Sequence, residues 1–324
     1  MTVLTSEKIK KYAKTLGADI VGVASYDRFD GAPKQLDPRY MFPDGKSIIV
    51  MGFRHFRGVF RGIEEGTFWT SYCSMGYASI NFIQQPLVLW NVCKMIEDEG
   101  YEAIPIPNNF PWGGANCYNP PRVKNNDYPP NPRFSMNVSP EKPHPNVFIH
   151  MRLSAFAAGL GDIGYNKMFL SPQFGPRQRL AAIVTEAPLK PDPMPEEKIC
   201  DMCKMCVKAC TVQAIPLDKT VKIQIAGKTL EWADIDIAKC AQGFQGATPE
   251  TNPFVVTPED AAGYTNPRTT GNYKTPSLYH YARALEGAAG CIRACMIHLE
   301  EKKKIKNQFQ EPFRKRKPWR LPKV

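Results

Sequence analysis

The chain has 324 residues, 43% hydrophobic and 23% charged, an ordinary globular make-up with room for one large or two smaller domains. No apolar run approaches the roughly 18 residues of a membrane span, and collagen-like, coiled-coil and fully disordered compositions are excluded. The net charge of +11 is concentrated in residues 302–324, where ten Lys or Arg face one acid; that is +9, so the remainder carries only +2 (11 − 9).

Thr5 or Ser6 is placed to cap an opening helix with an apolar stripe of Ile9, Tyr12, Ala13 and Leu16, and Gly17 ends it. Strands are expected over 18–23 and 47–51, then a long helix over 77–99 that stops at Gly100, with Pro86 as its kink or start. A strand over 101–106 follows. Residues 105–145 hold eleven of the thirty prolines, so neither helix nor central strand fits. Phe110, Trp112, Tyr118, Tyr128 and Phe134 favour an ordered loop there over a disordered linker. A helix over 151–158 and a buried strand over 179–185 complete the front part. The alternation favours an α/β or α+β fold. A second polar loop, 243–276, interrupts the cysteine-rich part that begins near Glu196.

The N-terminus has neither an apolar signal core nor a twin-arginine pair, so a cytoplasmic, reducing location is expected. Clustered thiols in that setting are metal ligands rather than disulfides. Cys73, Cys93 and Cys117 are scattered. Cys200, Cys203, Cys206 and Cys210 follow the C-x2-C-x2-C-x3-C spacing that wraps a 4Fe–4S cubane in bacterial-type ferredoxins, with Thr211 where proline is usual. Zinc is the alternative for paired Cys-x2-Cys. In a two-cluster ferredoxin the last cysteine of the second motif completes the first cluster, so Cys200, Cys203, Cys206 and Cys295 are expected to hold one cluster. Cys210, Cys240 and Cys291 are left for a second. The position that would complete the second motif is Ala288, so that centre is 3Fe–4S, or a 4Fe–4S cubane with another ligand, for which Cys73, Cys93 and Cys117 are candidates. Cys240 as a plain core cysteine, with a single cluster, is the other reading. Two clusters make an electron wire, and a wire fused to a larger domain implies an acceptor there.

The segment 152–189 contains an alanine-rich helix, the turn Gly159-Leu160-Gly161-Asp162-Ile163-Gly164, the turn Phe174-Gly175-Pro176-Arg177 and the strand end Thr185-Glu186-Ala187-Pro188-Leu189. In this order, followed by the cysteine motif, these resemble the cobalamin-dependent iron–sulfur reductases, namely the reductive dehalogenases and epoxyqueuosine reductases. The resemblance implies a nitroreductase-like corrinoid-binding domain over 1–195, a ferredoxin-like double-cluster domain over 196–300 and a basic tail over 301–324. It implies a corrinoid bound near Gly159, Gly161, Gly164, Asn166, Phe174, Gly175 and Arg177, with no protein ligand to cobalt. The glycines serve that approach or simply allow tight chain packing; GLGDIG follows a helix, so it is no dinucleotide fingerprint.

Under the resemblance, clusters reduce cobalamin, cobalamin cleaves a small organic substrate reductively, and a side chain supplies a proton. Tyr77 matches the dehalogenase proton donor, or is a packed aromatic. The sequence departs from the family twice. Tyr165 stands where a Lys or Arg is common, and Pro145, before Asn146, stands where epoxyqueuosine reductases carry an Asp. Asn146, His150 and Tyr165 therefore become substrate-facing candidates, with His150 equally readable as a structural histidine. The alternatives are a non-catalytic electron-transfer or corrinoid-reducing protein, and an epoxyqueuosine reductase-like tRNA-modifying enzyme. The expected partners are a small substrate and an electron donor such as ferredoxin or flavodoxin. The tail, with Phe309, Phe313 and Trp319 among its basic residues, suits tRNA, an acidic membrane or an acidic protein, or is a solvated tail with its aromatics tucked onto the body.

Overall fold

The computed structural model describes residues 4–32, 37–65, 71–107, 149–236, 239–240 and 287–313. Helix α1 (Ser6–Thr15) begins at Thr5, whose hydroxyl accepts from the Lys8 amide at 3.3 Å. It ends at Gly17 as expected. Strand β1 (Ile20–Ser25) starts two residues later than read, and β2 (Ser47–Arg54) runs three further. Helix α2 (Gly58–Glu65) had no clear sequence signal. The long helix starts at Tyr72, runs as a π-helix over Tyr72–Gln84 and continues as α3 (Gln85–Glu97). Pro86 sits in the first turn of α3. Lacking an N–H, it is tolerated there, where the hydrogen-bond register changes.

Strand β3 (Ala103–Ile106), helix α4 (Met151–Ala157), the two-residue strands β4 (Asp162–Ile163) and β5 (Phe169–Leu170), and β6 (Gln178–Thr185) follow. Then come the short helix α5 (Met205–Lys208), the hairpin β7 (Thr220–Ile225) and β8 (Lys228–Ala233), and helix α6 (Gly287–Glu301). The loops expected over 105–145 and 243–276 lie almost wholly outside the described residues.

The main sheet has the order β1-β2-β6-β3, and every pairing is antiparallel. Its central strands are apolar at nearly every position because both faces are covered. On one face Ile49, Met51, Ala181 and Ile183 meet Ile9 and Ala13 of α1 and Val88, Leu89 and Val92 of α3. On the other, Ile48, Val50, Ala182 and Val184 meet Leu153 and Phe156 of α4 and Trp232 of β8. The fold is mixed α/β. Among the described residues no helix is long and apolar enough to cross a membrane.

Candidate functional site

Helix α4 ends in a glycine cap. The Gly159 amide donates to Phe156 O (2.9 Å) and the Leu160 amide to Ala155 O (3.0 Å), with Gly159 at φ +74°. A Cβ on Gly159 would lie 2.1 Å from the Pro193 carbonyl oxygen, and one on Gly161 2.0 Å from that of Leu170. The missing side chains of these two glycines are therefore used by the chain itself, for close backbone approach. Gly164 is likewise enclosed, by Asn166 and Leu170.

The same turn holds the cysteine loop. Buried Asp162 accepts from its neighbour Ile163 N (2.7 Å) through one carboxylate oxygen and from Ile199 N (3.2 Å) through the other. Ile199 directly precedes Cys200. The Tyr165 amide donates to Cys200 Sγ at 3.4 Å. The Tyr165 hydroxyl is directed at the carbonyls of Pro216 (2.9 Å) and Leu217 (2.7 Å), and the residue is 2% exposed. Tyr165 thus faces the cysteine region.

Cys200, Cys203, Cys206 and Cys295 line one cavity. The loop converges by placing Met202 (φ +59°) and Lys204 (φ +61°) in the left-handed region, at a cost of roughly 1–3 kcal/mol each. Helix α6 presents Cys291 and Cys295 one turn apart, hence on one face. Burial pushes the Cys206 thiol up to about 11, with Cys200 and Cys203 adding to it. Burial raises Cys295 further, and its sulfur neighbours are Cys200, Cys206, Cys291 and Cys203. Burial likewise takes Cys291 to about 12, next to Cys240, Cys206 and Cys210. Cys200, Cys203, Cys206 and Cys295 thus lie together, and Cys291 lies near Cys240 and Cys210 but also near Cys206 and Cys295. Arg152 of α4 opposes the rise at both Cys240 and Cys291; it places a positive charge at the second set. The Cys210 sulfur accepts from Ala214 N at 3.2 Å. Cys93 packs in the α1–α3 core, apart from the other cysteines. The side chains of Cys73 and Cys117 lie outside the described residues.

An apolar cluster of Val59, Phe60, Tyr72, Ile292, Met296 and Phe313 connects Cys291 to the start of the π-helix. One turn along, half-buried Tyr77 lies under the Arg179 guanidinium, 4.1 Å from the ring centre, while Arg179 Nε donates to Asn81 Oδ1 at 3.1 Å. This cation reaches Tyr77 from β6. His55, 1% exposed, sits between Phe60 and Tyr72 with no partner for Nδ1 among the described residues. Burial, with Arg179 and Arg177 nearby, holds it well below its usual pKa. Arg179, His55 and Arg152 were not singled out from the sequence; a charged residue opening an otherwise apolar strand was the one available sign, for Arg179.

His150 caps α4, its Nδ1 accepting from Leu153 N at 3.2 Å, and burial lowers its pKa. That is a structural role for its ring. Asn146 lies outside the described residues. Asn166 is 4% exposed; its Oδ1 accepts from Met168 N, and its Nδ2 has no partner among the described residues. Phe174 is buried beneath Arg54. Gly175 bridges to Ser171 and packs under Leu299 and Ile305. Arg177, 1% exposed, donates to His55 O (2.8 Å) and Asn307 Oδ1 (2.6 Å), and burial lowers its pKa to about 10. These last two residues fasten the segment after α6. Arg57 fastens it as well, pairing with Glu300 at 2.9 Å and stacking 3.6 Å from the Phe309 ring centre. Phe309 and Phe313 therefore rest on the body; Trp319 lies outside the described residues.

The fold and the site define a mixed α/β protein with four cysteine thiols around one cavity and further cysteines beside them. No family model matches the chain. It is 26% identical over 233 residues to a tetrachloroethene reductive dehalogenase of Desulfitobacterium hafniense and 28% identical over 234 residues to one of Dehalobacter restrictus. Each match covers 67% of this chain and 40% of the relative, so the match takes in well under half of the relatives' length. The solved catabolic reductive dehalogenase NpRdhA superposes with a TM-score of 0.51 at 16% identity, over 92% of this chain and 36% of that one. An epoxyqueuosine reductase from Streptococcus thermophilus superposes with a TM-score of 0.45 at 14% identity, over 92% and 82%. The chain is thus similar in sequence to reductive dehalogenases, one of the two groups its motifs resemble.

Proposed function

We propose that this chain is a corrinoid- and iron–sulfur-dependent reductase that cleaves a small organic substrate reductively, a halogenated one by analogy with the relatives' names. The observation that supports the reading is the convergence of Cys200, Cys203, Cys206 and Cys295 on one cavity, with Cys291 of the same helix as Cys295 joined by an apolar cluster to the π-helix of Tyr77. All-thiolate donors suit iron–sulfur centres, and the two left-handed residues of the cysteine loop suit a site held in shape by a bound group. Asn166 lines the cavity of Cys200, Cys203, Cys206 and Cys295, so its buried Nδ2 is a donor aimed at a group held there, and the corrinoid rests on the resemblance alone. We assign a cubane to Cys200, Cys203, Cys206 and Cys295 and a second cluster to Cys210, Cys240 and Cys291, in a ferredoxin-like unit behind a nitroreductase-like one.

When bound, these groups would supply single-electron chemistry. The chain's own residues do the rest. Tyr77 Oη delivers a proton to the reacting carbon, and Arg179 fixes the ring from its other contacts with Asn81. Phe60, Tyr72, Ile292 and Met296 keep water from the path between Cys291 and Tyr77. A second reading, an electron carrier without turnover, is favoured by Tyr165: it replaces a family cation and has its hydroxyl engaged by two carbonyls.

Oxygen-free purification followed by metal, sulfide and corrinoid analysis tests the reading. Expected are about seven to eight irons with sulfide and a retained base-off corrinoid. Zinc in place of iron refutes it. Iron with corrinoid but no turnover of tetrachloroethene or a bromophenol leaves the carrier reading. Turnover unchanged in Tyr77→Phe removes that residue from the chemistry.

A further inference from the structure

The first thiol set reaches the surface. Cys203 is exposed, and Met202 and Met205 beside it are 41% and 42% exposed. The turn after α6 closes over the same site. Ile305 is buried to 2% in a cluster with Ile199, Leu299, Cys200 and Cys295. Burying Ile305 there turns its neighbours outward, and Lys302, Lys303, Lys304 and Lys306 are all exposed. Lys303, Lys304 and Lys306 border one surface recess. The nearest acids are already engaged: Asp201 by His298 at 2.8 Å and Lys304 at 3.4 Å, and Glu300 by Arg57 at 2.9 Å. Exposed Lys208 extends the positive rim on the loop side, and Glu301 is the one exposed acid within the turn.

We infer that this face, an exposed thioether centre inside a lysine rim, is the docking surface for a small acidic electron-carrier protein. The inference rests on the functional reading above. It names where electrons enter: the carrier is oxidised by one electron and the centre held by Cys200, Cys203, Cys206 and Cys295 is reduced by one, with no bond made or broken. Lysines steer the encounter and set its salt dependence. Met202 and Met205 give an apolar centre that sheds water when the partner seats. A nucleic acid would need base-stacking aromatics among the lysines, and residues 302–306 supply none.

The test uses the full-length holoprotein with an acidic bacterial ferredoxin and an acidic bacterial flavodoxin as probes, and basic cytochrome c as the charge control. Binding is measured by interferometry at low and moderate salt. The probes are expected to bind at low salt and release as salt rises, while cytochrome c does not bind. Lys303→Glu with Lys306→Glu is expected to weaken probe binding about tenfold or more, with iron and sulfide content unchanged. Lys8→Glu with Lys11→Glu, on exposed positions of α1, leaves binding as it was. Failure of both probes to bind a fully loaded protein overturns the inference, as does equal weakening by the α1 pair. A wild-type protein without iron and sulfide instead sinks the functional reading beneath it.

Discussion

Asp162 is the most informative single position. Its carboxylate accepts from Ile163 N and Ile199 N, both buried, and the second bond sets the start of the cysteine loop. Asp162→Ala removes two charge-assisted bonds and strands two amides. At about 1.5–3 kcal/mol for a bond to a charged group, loss of the Ile199 bond takes roughly 1.5–3 kcal/mol from the hold on the loop. With every 1.4 kcal/mol worth a factor of ten, iron at the first set should leave to a chelator about 10- to 100-fold faster. The second set is tied instead through Cys210 to Ala214 and through α6, so its iron should leave at the wild-type rate. Asp162→Asn keeps one acceptor oxygen and should fall between. The assay is anaerobic chelation with a colorimetric ferrous indicator, which resolves a fast and a slow phase. A single unaltered phase in Asp162→Ala would refute the claim that the GLGDIG turn holds the cysteine loop.

His55 and His150 stay neutral in the folded chain. Above about pH 6.5 neither state is charged there; below it the unfolded chain binds protons that the folded chain refuses, so stability falls by about 1.4 kcal/mol per pH unit for buried His55 and by less for half-buried His150. Melting followed by circular dichroism should therefore drop between pH 7.5 and 5.5, and His55→Phe should lessen the slope; a level profile contradicts this. Arg57→Ala removes the direct ion-pair partner of Glu300 in a site where both partners are under 14% exposed and leaves it only the nearby Arg177 charge, a loss of roughly 3 kcal/mol. Trypsin should then cut within 302–306 sooner, and an unchanged cleavage pattern would count against that fastening. Gly159→Ala forces a Cβ onto the Pro193 carbonyl at positive φ, costing about 1–3 kcal/mol from the backbone alone; differential calorimetry should show a lower transition, and a wild-type transition would mean the two segments separate freely.

The parts readable from sequence were those with short-range causes. Gly17, Gly100 and the apolar runs of β2 and β6 announce themselves locally. The β7–β8 hairpin was also written in the chain, in the alternation V-K-I-Q-I followed by Ala226-Gly227, two residues at positive φ that suit a two-residue turn. Arg179 over Tyr77, Arg152 beside Cys291 and Asp162 on Ile199 depend on which strands pair and which helix crosses them. Tyr77 and Arg179 are 102 positions apart (179 − 77), and nothing local links them.

Helix α6 contributes to both thiol sets, which has a consequence for synthesis. Cys295 leaves the ribosome 89 positions after Cys206 (295 − 206). At about 5–20 residues per second that interval is roughly 4–18 s. On the proposed assignment, the nascent chain for that time offers three thiols without their fourth partner, a trap for any passing zinc. Delivery of iron and sulfide would then wait for helix α6 or be guarded until it arrives.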